Sequence, residues 1–385
     1  MNRPACYRRQ PAEALVGQLF VMGFAGPAVA DSYRRLVRNY GIGGTILFRQ
    51  NIQNPGQVRD LTGEIRSLHP RHLPPVISVD QEAGLVTRLQ KPFTEWTGNL
   101  SISRAARKLG RPELAFDVGR AIGLELNAAG FNTDFAPVVD VNSNPKNPII
   151  GPRSFGDDPA WVGRLGALFI GGLQSAGIAA CAKHFPGHGD TSQDSHIALP
   201  VVDRPVASLA RTEWPPFRDA IRAGVASIMT AHVVFPSVDP GVPATLSRRI
   251  QRDILRRGLG FRGVVFTDDL MMAGISQGRE PGRVAVDCLK AGCDVLLVCA
   301  NFDSQPLYVE AVLKAVRDGE LSERLVRRAA GRVLAFKRKF AAAGTGRVPP
   351  GVIGCERHQR LSALVREHGG ETAWGKTDPT EAGRG

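Results

Sequence analysis

The chain has 385 residues, a formal net charge of +13 and a hydrophobic fraction of 43%. That length suits one large domain or two ordinary ones, and the hydrophobic fraction is normal for a globular protein with a sizeable core. The sequence contains no stretch of ~20 apolar residues, which excludes a membrane-spanning helix. The positive charge comes mostly from scattered arginines, and no zinc-finger spacing or aromatic–basic RNA motif accompanies them. We therefore expect no nucleic-acid partner and no membrane partner.

The cysteines and the N-terminal segment indicate the cellular compartment of the protein. None of the six cysteines forms a Cys-x-x-Cys pair, which is typical of a reducing environment rather than of a disulfide scaffold. Arg8 and Arg9 precede an apolar stretch ending at Ala28-Val29-Ala30, as in a secretory signal. However, Glu13 and Gln18 interrupt that stretch, and the strand count below needs it. We therefore expect a first core strand there, a retained N-terminal segment and a cytoplasmic protein.

Eight short apolar runs predict β-strands. They lie at Leu19–Phe24, Gly43–Phe48, Pro75–Asp80, Asp134–Val141, Ile178–His184, Ala226–Val233, Gly263–Asp268 and Asp294–Ala300. Most are continuously apolar, as strands buried on both faces must be. Segments with helical spacing of apolar residues lie at Asn54–Leu68, Leu114–Gly130, Asp157–Gly177, Leu246–Gly260 and Ser322–Phe340.

Alternating strands and helices predict an α/β fold with parallel strands and helical crossovers. Eight such units match a (β/α)8 TIM-type barrel, for which ~250 residues is typical and insertions are common. A doubly wound sheet is the alternative, but it requires a Gly-x-Gly-x-x-Gly fingerprint after an early strand, and Gly41-Ile42-Gly43-Gly44 precedes a strand instead. We expect a single catalytic barrel domain over residues 1–340. Residues 341–385 are rich in Gly, Pro and polar residues, which predicts a poorly ordered C-terminal tail.

The stretch from Lys183 to His196 reads Lys-His-Phe-Pro-Gly-His-Gly-Asp-Thr-Ser-Gln-Asp-Ser-His and directly follows a predicted strand. Core packing does not explain so many ionisable groups in one loop, so we interpret it as a functional loop rather than a plain surface loop. Gly187 and Gly189 give its base access to backbone angles closed to other residues. We expect this loop to move between open and closed positions.

In a parallel barrel, the active site lies at the C-terminal ends of the strands. The predicted strands bring acidic, cationic and histidine side chains to that face. These residues are Asp80, Gln81, Glu82, Arg88, Asp140, Arg153, Lys183, His184, His232, Thr267, Asp268 and Asp269. Their convergence on one face of the barrel predicts the active site there.

Several segments resemble the glycoside hydrolase family 3 β-N-acetylglucosaminidases of the single-barrel kind. They are the 183–196 loop, Val79-Asp80-Gln81-Glu82, Phe135–Val141, Ile150-Gly151-Pro152-Arg153-Ser154-Phe155 and Phe266-Thr267-Asp268-Asp269-Leu270. The resemblance implies a retaining hydrolase that removes terminal β-linked N-acetylglucosamine. It further implies a cytoplasmic role in recycling peptidoglycan fragments such as anhydro-muropeptides. We expect a small carbohydrate substrate, a monomer, and neither a cofactor nor a metal.

The resemblance also implies roles for individual residues. Asp268 is the nucleophile, and His196 is the acid/base, oriented by Asp194. The sugar is bound by Asp80, Arg88, Arg153, Lys183 and His184. These residue types fit the chemistry, because retaining cleavage needs a carboxylate to attack the anomeric carbon and a proton donor for the leaving oxygen. A histidine, with an unperturbed pKa of ~6.5, both donates and accepts protons near neutrality.

Neighbouring residues receive other roles. Asp269 points away from Asp268, because successive strand side chains alternate, and we expect it to make a structural hydrogen bond. His188 and Asp190 are interpreted as shaping the loop. Ala83 and Leu85 stand where many relatives carry Gly and Arg, so the contacts of the loop after the third strand differ from the family pattern.

Three alternatives are open from the sequence. A metal-dependent hydrolase would use as ligands His184, His188, Asp190, Asp194 and His196. These residues lie mostly on one Gly-rich loop, whereas metal sites of hydrolases are built on rigid elements. A barrel that only binds glycans would not need a nucleophile with a matched proton donor. A β-glucosidase or xylosidase would take its acid/base from a second domain, which we do not expect here.

Overall fold

The structure is a computed structural model that describes residues 10–192, 199–342, 348–372 and 378. The β-strands in these ranges are β1 Phe20–Met22, β2 Gly44–Ile46, β3 Val76–Val79, β4 Gln81–Ala83, β5 Val86–Thr87, β6 Thr133–Asp134, β7 Ala179–Phe185, β8 Ser227–Thr230, β9 Val264–Asp269 and β10 Val295–Val298. The α-helices are α1 Glu13–Val16, α2 Asp31–Tyr40, α3 Pro55–Ser67, α4 Asn99–Leu109, α5 Leu114–Ala128, α6 Pro159–Ser175, α7 Val206–Thr212, α8 Trp214–Arg222, α9 Ala273–Ser276, α10 Pro281–Ala291, α11 Gln305–Arg317, α12 Glu323–Phe340 and α13 Glu356–Gly369. A π-helical segment covers Arg249–Gly258.

Eight of the described strands form a closed parallel barrel in the order β1-β10-β9-β8-β7-β6-β3-β2. The barrel closes at β1, which pairs with β10 on one side and with β2 on the other. Its strands are buried, as their continuous apolar sequences require. The prediction of a (β/α)8 TIM-type barrel is confirmed.

The fourth barrel strand is shorter than the predicted run Asp134–Val141, because regular pairing stops at Asp134. Pro137 has no N–H group to donate to the neighbouring strand. Its carbonyl still accepts from Lys183 N at 3.2 Å, and Val139 N donates to Lys183 O at 2.9 Å. The chain therefore continues beside β7 in an irregular form and brings Asp140 to the same barrel edge as His184.

The segment after α12 differs from the expectation of a tail without regular structure. Residues 356–369 form α13, which packs along α4. Its buried face carries His358, Ser362, Val365 and Gly369. The spacing of these residues is helical, and Leu361 and Leu364 also pack against the core, so a short apolar stripe lies within the largely polar sequence of this segment.

Polar contacts also hold this helix in place. His358 Nδ1 lies 2.7 Å from Glu125 Oε1 on α5, and Gly354 N donates to the same oxygen at 3.1 Å. Ser362 Oγ donates to the carbonyl of Glu95 at 2.5 Å. Within the described ranges, no helix combines the length and apolar character that a membrane span requires.

Candidate active site

A small hairpin of β4 and β5 follows β3 and positions three charged residues. Asp80 lies directly after β3, Glu82 lies within β4, and Arg88 follows β5. The side chain of Gln81 joins β4 to the chain after β5, because its Oε1 accepts from Arg88 N at 3.0 Å and from Leu89 N at 3.1 Å. The backbone of Arg88 is therefore fixed next to the end of β3.

Glu82 is the centre of a buried ion-pair network. Its carboxylate makes a bidentate pair with Arg153, with both N–O distances at 2.8 Å, and Lys183 Nζ lies 2.6 Å from Oε1. The same ammonium lies 2.8 Å from Asp80 Oδ1. The side chains of Glu82, Arg153 and Lys183 are at most 3% exposed, whereas Asp80 is 14% exposed. The network thus reaches the surface of the site through Asp80.

The charges in this network stabilise one another. Burial raises the pKa of Glu82, but Arg153 and Lys183 outweigh burial and hold that pKa well below its ordinary value. Burial opposes ionisation of Asp80 too, yet Lys183 and Arg88 lower its pKa. Burial alone would lower the pKa of Lys183, but Asp80 and Glu82 raise it. All of these groups are therefore ionised at neutral pH, so the site offers fixed cationic donors and anionic acceptors to a polar ligand.

Arg88 lies at the edge of the same network. Its Nη2 is 3.6 Å from Asp80 Oδ2, and its Nη1 pairs with the carboxylate of Asp378. The guanidinium also stacks against Phe48, 5.6 Å from the ring centroid. Its side chain is fully buried. The described residue Asp378 therefore belongs to the surroundings of a predicted sugar-binding residue.

His184, at the end of β7, is oriented by Asp140. Asp140 Oδ2 lies 2.7 Å from His184 Nδ1 and also accepts from the backbone N of His184, at 3.1 Å. The other oxygen accepts from His188 N at 2.8 Å. Burial raises the pKa of Asp140, but His184 outweighs it and lowers that pKa. With Nδ1 engaged by a carboxylate, the imidazole is held in one orientation.

Asp268 and Asp269 end strand β9 and have different environments. Asp268 is half-buried, and its Oδ1 accepts from Asp269 N at 2.8 Å. Asp269 is buried, and its Oδ1 accepts from the backbone N atoms of Met271 and Cys299, both at 3.1 Å. His232 Nε2 lies 3.1 Å from the carbonyl of Asp269. Asp269 thus makes structural hydrogen bonds, as expected from strand alternation, while Asp268 is the more accessible carboxylate.

The predicted acid/base pair, Asp194 and His196, lies outside the described residues. The root of its loop, up to Ser192, is described and is held by Asn147. The Asn147 amide donates to the carbonyls of His188 and Gly189, at 2.8 and 3.0 Å, and to Thr191 Oγ1 at 3.1 Å. A Cβ atom at Gly189 would lie 1.6 Å from the carbonyl oxygen of Val141. Glycine is therefore required there by close packing, which differs from the flexible base that the sequence predicts.

His188 and Asp190 contribute to this packed root. His188 is buried, its Nδ1 lies 2.9 Å from Thr191 Oγ1, and burial together with the nearby His184 lowers its pKa to about 4. Asp190 pairs with Arg204 at 2.7 Å. Both contacts agree with the loop-shaping roles predicted for these two residues. A histidine that is neutral throughout the neutral range is a poor proton donor.

Buried Glu213, between α7 and α8, lies beneath the root of the loop. Ser143 Oγ donates to its Oε1 at 3.3 Å, and a Cβ atom at Gly187 would meet its Oε2 at 2.3 Å. Burial, with smaller contributions from Asp140 and Asp190, raises the pKa of Glu213 to about 8. At neutral pH this carboxyl is therefore mostly protonated in the folded protein.

Among the described residues, no group of three or more His, Cys, Asp or Glu side chains is arranged to hold a metal ion. Of the candidate ligands of a metal-dependent hydrolase, Asp194 and His196 lie outside these residues. His184 and His188 are turned toward Asp140 and Thr191 through their Nδ1 atoms.

Sequence reasoning placed Glu82 and Asp140 among the polar residues at the predicted active-site edge of the barrel but gave neither a specific role. Glu82 lies in the same short motif as Asp80, which was a usable signal, whereas the motif Phe135–Val141 that holds Asp140 contains no residue with an assigned role. The five predicted sugar-binding residues, Asp80, Arg88, Arg153, Lys183 and His184, lie within or beside this edge. Asp378 has no local sequence signal, because it meets Arg88 from 290 residues away.

Comparisons with known proteins agree with this geometry. The glycosyl hydrolase family 3 N-terminal domain model matches residues 12–336. The chain is 36% identical over 351 residues to beta-hexosaminidase A of Pseudoalteromonas piscicida, which covers 85% of this chain and 58% of that protein. It is 40% identical over 291 residues to a beta-hexosaminidase of Neisseria meningitidis serogroup C, with 74% and 79% covered. The chain thus spans less than two thirds of the Pseudoalteromonas relative but most of the Neisseria one.

Two solved structures are also similar. A glycoside hydrolase family 3 β-N-acetylglucosaminidase from Paenibacillus sp. FPU-7 superposes with a TM-score of 0.87 at 40% identity, covering 94% of this chain and 69% of that one. NagZ from Neisseria gonorrhoeae in complex with N-trifluoroacetyl-D-glucosamine gives a TM-score of 0.76 at 33% identity, covering 92% and 98%. Both neighbours share the barrel described above.

Proposed function

The chain belongs to glycosyl hydrolase family 3, and from that membership we propose that it removes terminal β-linked N-acetylglucosamine with retention of anomeric configuration. Its relatives named beta-hexosaminidase place it among glycoside hydrolases of the β-N-acetylhexosaminidase type. One observation in particular supports retaining cleavage of a terminal N-acetylglucosamine. The buried network around Glu82 and the half-buried carboxylate of Asp268 lie at the same carboxyl-terminal edge of the barrel.

The network supports binding of a neutral, hydroxyl-rich ring. A sugar hydroxyl donates one hydrogen bond and accepts others, so it is matched by a carboxylate beside a cation. Asp80 with Arg88 and Lys183 provides this combination, and the ion pairs hold the side chains in place before a ligand arrives. Preorganised partners of this kind reduce the entropy cost of binding. We assign the terminal N-acetylglucosamine to Asp80, Arg88, Arg153, Lys183 and His184.

Asp268 is the proposed nucleophile. Its carboxylate attacks the anomeric carbon while the glycosidic C–O bond breaks, which leaves the sugar as an ester on Asp268. The leaving oxygen takes a proton from His196. A water molecule then gives its proton back to His196 and hydrolyses the ester, which frees Asp268 and releases the sugar. The structural hydrogen bonds of Asp269 support this role for its neighbour, because they hold the end of β9 rigidly.

The acid/base assignment to His196, oriented by Asp194, rests on the loop motif. Its support in the described residues is the fixed root up to Thr191, which Asn147 ties to the barrel edge. Any movement of the loop that brings His196 over the sugar would therefore start after Thr191, and not at Gly187 or Gly189.

We further infer that the natural substrates are peptidoglycan fragments of the anhydro-muropeptide type, processed in the cytoplasm by a monomer. This part rests on the sequence resemblance alone. Comparing kcat/KM for an anhydro-muropeptide with that for chitobiose tests it, and a clear preference for chitobiose would contradict it.

The decisive experiment follows the products of a nitrophenyl β-N-acetylglucosaminide by proton NMR. The proposal requires that β-N-acetylglucosamine appears first and the α-anomer only later, through mutarotation. The matched nitrophenyl β-glucoside and β-xyloside serve as controls and should react much more slowly. Initial release of the α-anomer would contradict the double-displacement mechanism. Binding of N-acetylglucosamine without any turnover would favour a glycan-binding barrel instead.

A further inference from the structure

Part of the positive charge gathers at the amino-terminal end of the barrel, opposite the candidate active site. Asp294 directly precedes β10, and its Oδ2 accepts from Val265 N, near the start of β9, at 3.0 Å. Arg256 Nη2 lies 2.5 Å from the same oxygen, and Arg332 Nη1 lies 2.9 Å from Oδ1. Asp294 therefore joins the π-helical segment Arg249–Gly258 to α12 through two arginines.

A second group of arginines lies on the same two segments. Arg252 and Arg328 each precede by four residues an arginine that binds Asp294. Burial lowers the pKa of the Arg252 guanidinium, and neighbouring positive charges lower that pKa further. Those charges belong to Arg248, Arg328 and Arg257. Several guanidinium groups therefore lie within electrostatic reach of one another.

The carboxylates of the surrounding helices are engaged elsewhere. The π-helical segment, α10 and α12 each contain a single acidic residue, and each of these pairs with an arginine four residues away on its own helix. The pairs are Asp253–Arg257, Asp287–Arg283 and Glu323–Arg327, at 2.8, 2.8 and 3.0 Å. Over the described ranges, no carboxylate forms an ion pair with Arg248, Arg252 or Arg328. This group of arginines therefore lacks the negative charge that Asp294 supplies to its neighbours.

Arg252 is the fixed member of the group. Its Nη2 donates to the carbonyl of Lys290, near the end of α10, at 2.7 Å. Its side chain crosses Gly292, where a Cβ atom would lie 3.3 Å from Arg252 Cγ. Its Nε atom is buried and has no hydrogen-bond partner among the described residues. Arg248 and Arg328 are exposed, so a half-buried guanidinium lies beside two that are open to a ligand.

A phosphate group fits this arrangement. It has about −1.5 to −2 charges at pH 7 and three acceptor oxygens, whereas a carboxylate has one charge. The planar fork of a guanidinium matches phosphate oxygens in bidentate geometry. The unbalanced charge is confined to one place, because Asp294 and Asp253 already pair with the arginines on either side. A small ligand therefore fits better than an extended polyanion.

We propose that Arg248, Arg252 and Arg328 form a binding site for the phosphate group of a small molecule. The guanidinium groups donate to the phosphate oxygens, and the ligand supplies the missing negative charge. A bound phosphate joins the π-helical segment to α12 beside Asp294, so it should stabilise the folded chain. The site is independent of the proposed function, because it lies at the barrel end opposite Asp268.

Calorimetry with inorganic pyrophosphate, at low salt and with the full-length chain, tests the site. The wild type should bind one equivalent, and its thermal unfolding temperature should rise with pyrophosphate concentration. Arg248→Gln and Arg328→Gln each remove one exposed guanidinium. Each substitution should raise the Kd about tenfold, because a hydrogen bond between charged groups is lost.

Arg35→Gln is the matched control, because it removes the same charge from an exposed arginine on α2. It should leave the Kd unchanged, and all three variants should keep the wild-type turnover of a nitrophenyl β-N-acetylglucosaminide. Wild-type protein that does not bind pyrophosphate would overturn the inference, as would an unchanged Kd in both Arg248→Gln and Arg328→Gln. An equal loss in Arg35→Gln would overturn it too, since attraction to the net charge of +13 would then explain the binding.

ADP and a single-stranded oligonucleotide distinguish the sources of the phosphate group. Equal affinities for ADP and pyrophosphate would show that the phosphates alone are recognised. Tighter binding of ADP that Arg328→Gln still weakens would assign the site to nucleotides. Tighter binding of the oligonucleotide, with a salt dependence that indicates many more than about three phosphate contacts, would replace the site by an extended nucleic-acid surface and contradict the inference.

Discussion

Glu82 and Arg153 form a bidentate ion pair from which water is almost excluded, with both N–O distances at 2.8 Å. The pair joins the hairpin after β3 to the turn that follows the fourth barrel strand. Lys183 on β7 shares the same carboxylate. One acidic side chain therefore links three segments that are far apart in the sequence, and the geometry of the sugar site depends on it.

Replacing Glu82 with Gln should destabilise the protein strongly. The change leaves Arg153 and Lys183 buried with too little negative charge, and breaking a buried pair from one side costs about 3–5 kcal/mol. Chemical denaturation measures the loss in free energy of unfolding. Glu356→Gln is the control, because its pair with Arg360 is nearly 80% exposed on both sides and should contribute less than about 1 kcal/mol. Equal effects of the two substitutions would show that the Glu82 network does not stabilise the fold.

Glu213→Gln should stabilise the protein increasingly as the pH rises. In the folded protein the pKa of Glu213 is raised to about 8, whereas an unfolded glutamate titrates near ~4.3. Between these values the folded state binds the extra proton, so the free energy of unfolding of the wild type falls as the pH rises. Glutamine has the shape of the protonated acid and no such dependence.

Denaturation of the wild type and Glu213→Gln at pH 5, 7 and 9 checks this prediction. The advantage of the variant should be small at pH 5, grow through pH 7 and be largest at pH 9. A difference that does not change with pH would contradict the assigned protonation of Glu213.

Ala83→Gly should stabilise the hairpin that carries Arg88. Ala83 has a φ angle of 72° and is buried. A non-glycine residue in the left-handed region costs about 1–2 kcal/mol, part of which the greater freedom of glycine in the unfolded chain offsets. We expect a gain of about 1 kcal/mol in free energy of unfolding. Gly26→Ala, at a φ angle of 81° with open space around it, is the reverse control and should destabilise by a similar amount.

Much of the fold was predictable because a barrel strand is buried on both faces. Runs such as Ile178–His184 and Gly263–Asp268 are continuously apolar and end in polar residues, so both the strands and the edge that carries the site could be inferred. Strand ends were less predictable. Residues 135–139 are equally apolar, yet regular pairing stops at Asp134, shortly before Pro137, and apolar content alone does not show this.

The remainder depends on contacts between distant segments. α13 combines a short apolar stripe of Leu361, Leu364 and Val365 with polar contacts of His358 and Ser362, whose partners lie far away in the sequence. The sequence around Asp378 and the sequence around Arg88 contain no pattern that predicts their pairing. By contrast, Glu82 lies two residues after Asp80 in the same short motif, and both carboxylates contact Lys183. That proximity in the sequence could have given Glu82 a specific role in the site.

Asp268→Ala should abolish turnover while the protein stays folded. Asp268 is half-buried at the end of β9, so removing its carboxylate leaves no large cavity in the core. Loss of a nucleophile should lower kcat on the order of 10⁴-fold. A fluorinated mechanism-based sugar should label Asp268 in the wild type, as peptide mass spectrometry would show. Asp269→Asn should instead lower stability, because its carboxylate accepts two backbone N–H groups, and labelling of Asp269 would refute the assignment.

Substrates with different leaving groups distinguish the role of His196 from that of His188. An unactivated sugar needs a proton on the departing oxygen, whereas a nitrophenolate departs without one. His196→Ala should therefore slow glycosylation by chitobiose about 10²–10⁴-fold, the usual size of a general-acid contribution, and affect the nitrophenyl glycoside much less. Asp194→Ala should act in the same direction but less strongly, because the imidazole is retained without its orienting partner. Rapid-quench kinetics isolates the glycosylation step for each substrate.

His188→Ala is the matched control on the same loop. The pKa of His188 is lowered to about 4, so its imidazole is neutral at neutral pH and is a poor general acid, and its Nδ1 is already engaged by Thr191. Its removal should disturb the packed root of the loop and slow both substrates by similar factors. A larger defect with chitobiose than with the nitrophenyl glycoside would move the acid/base role to His188. Equal defects of His196→Ala with the two substrates would remove that role from His196.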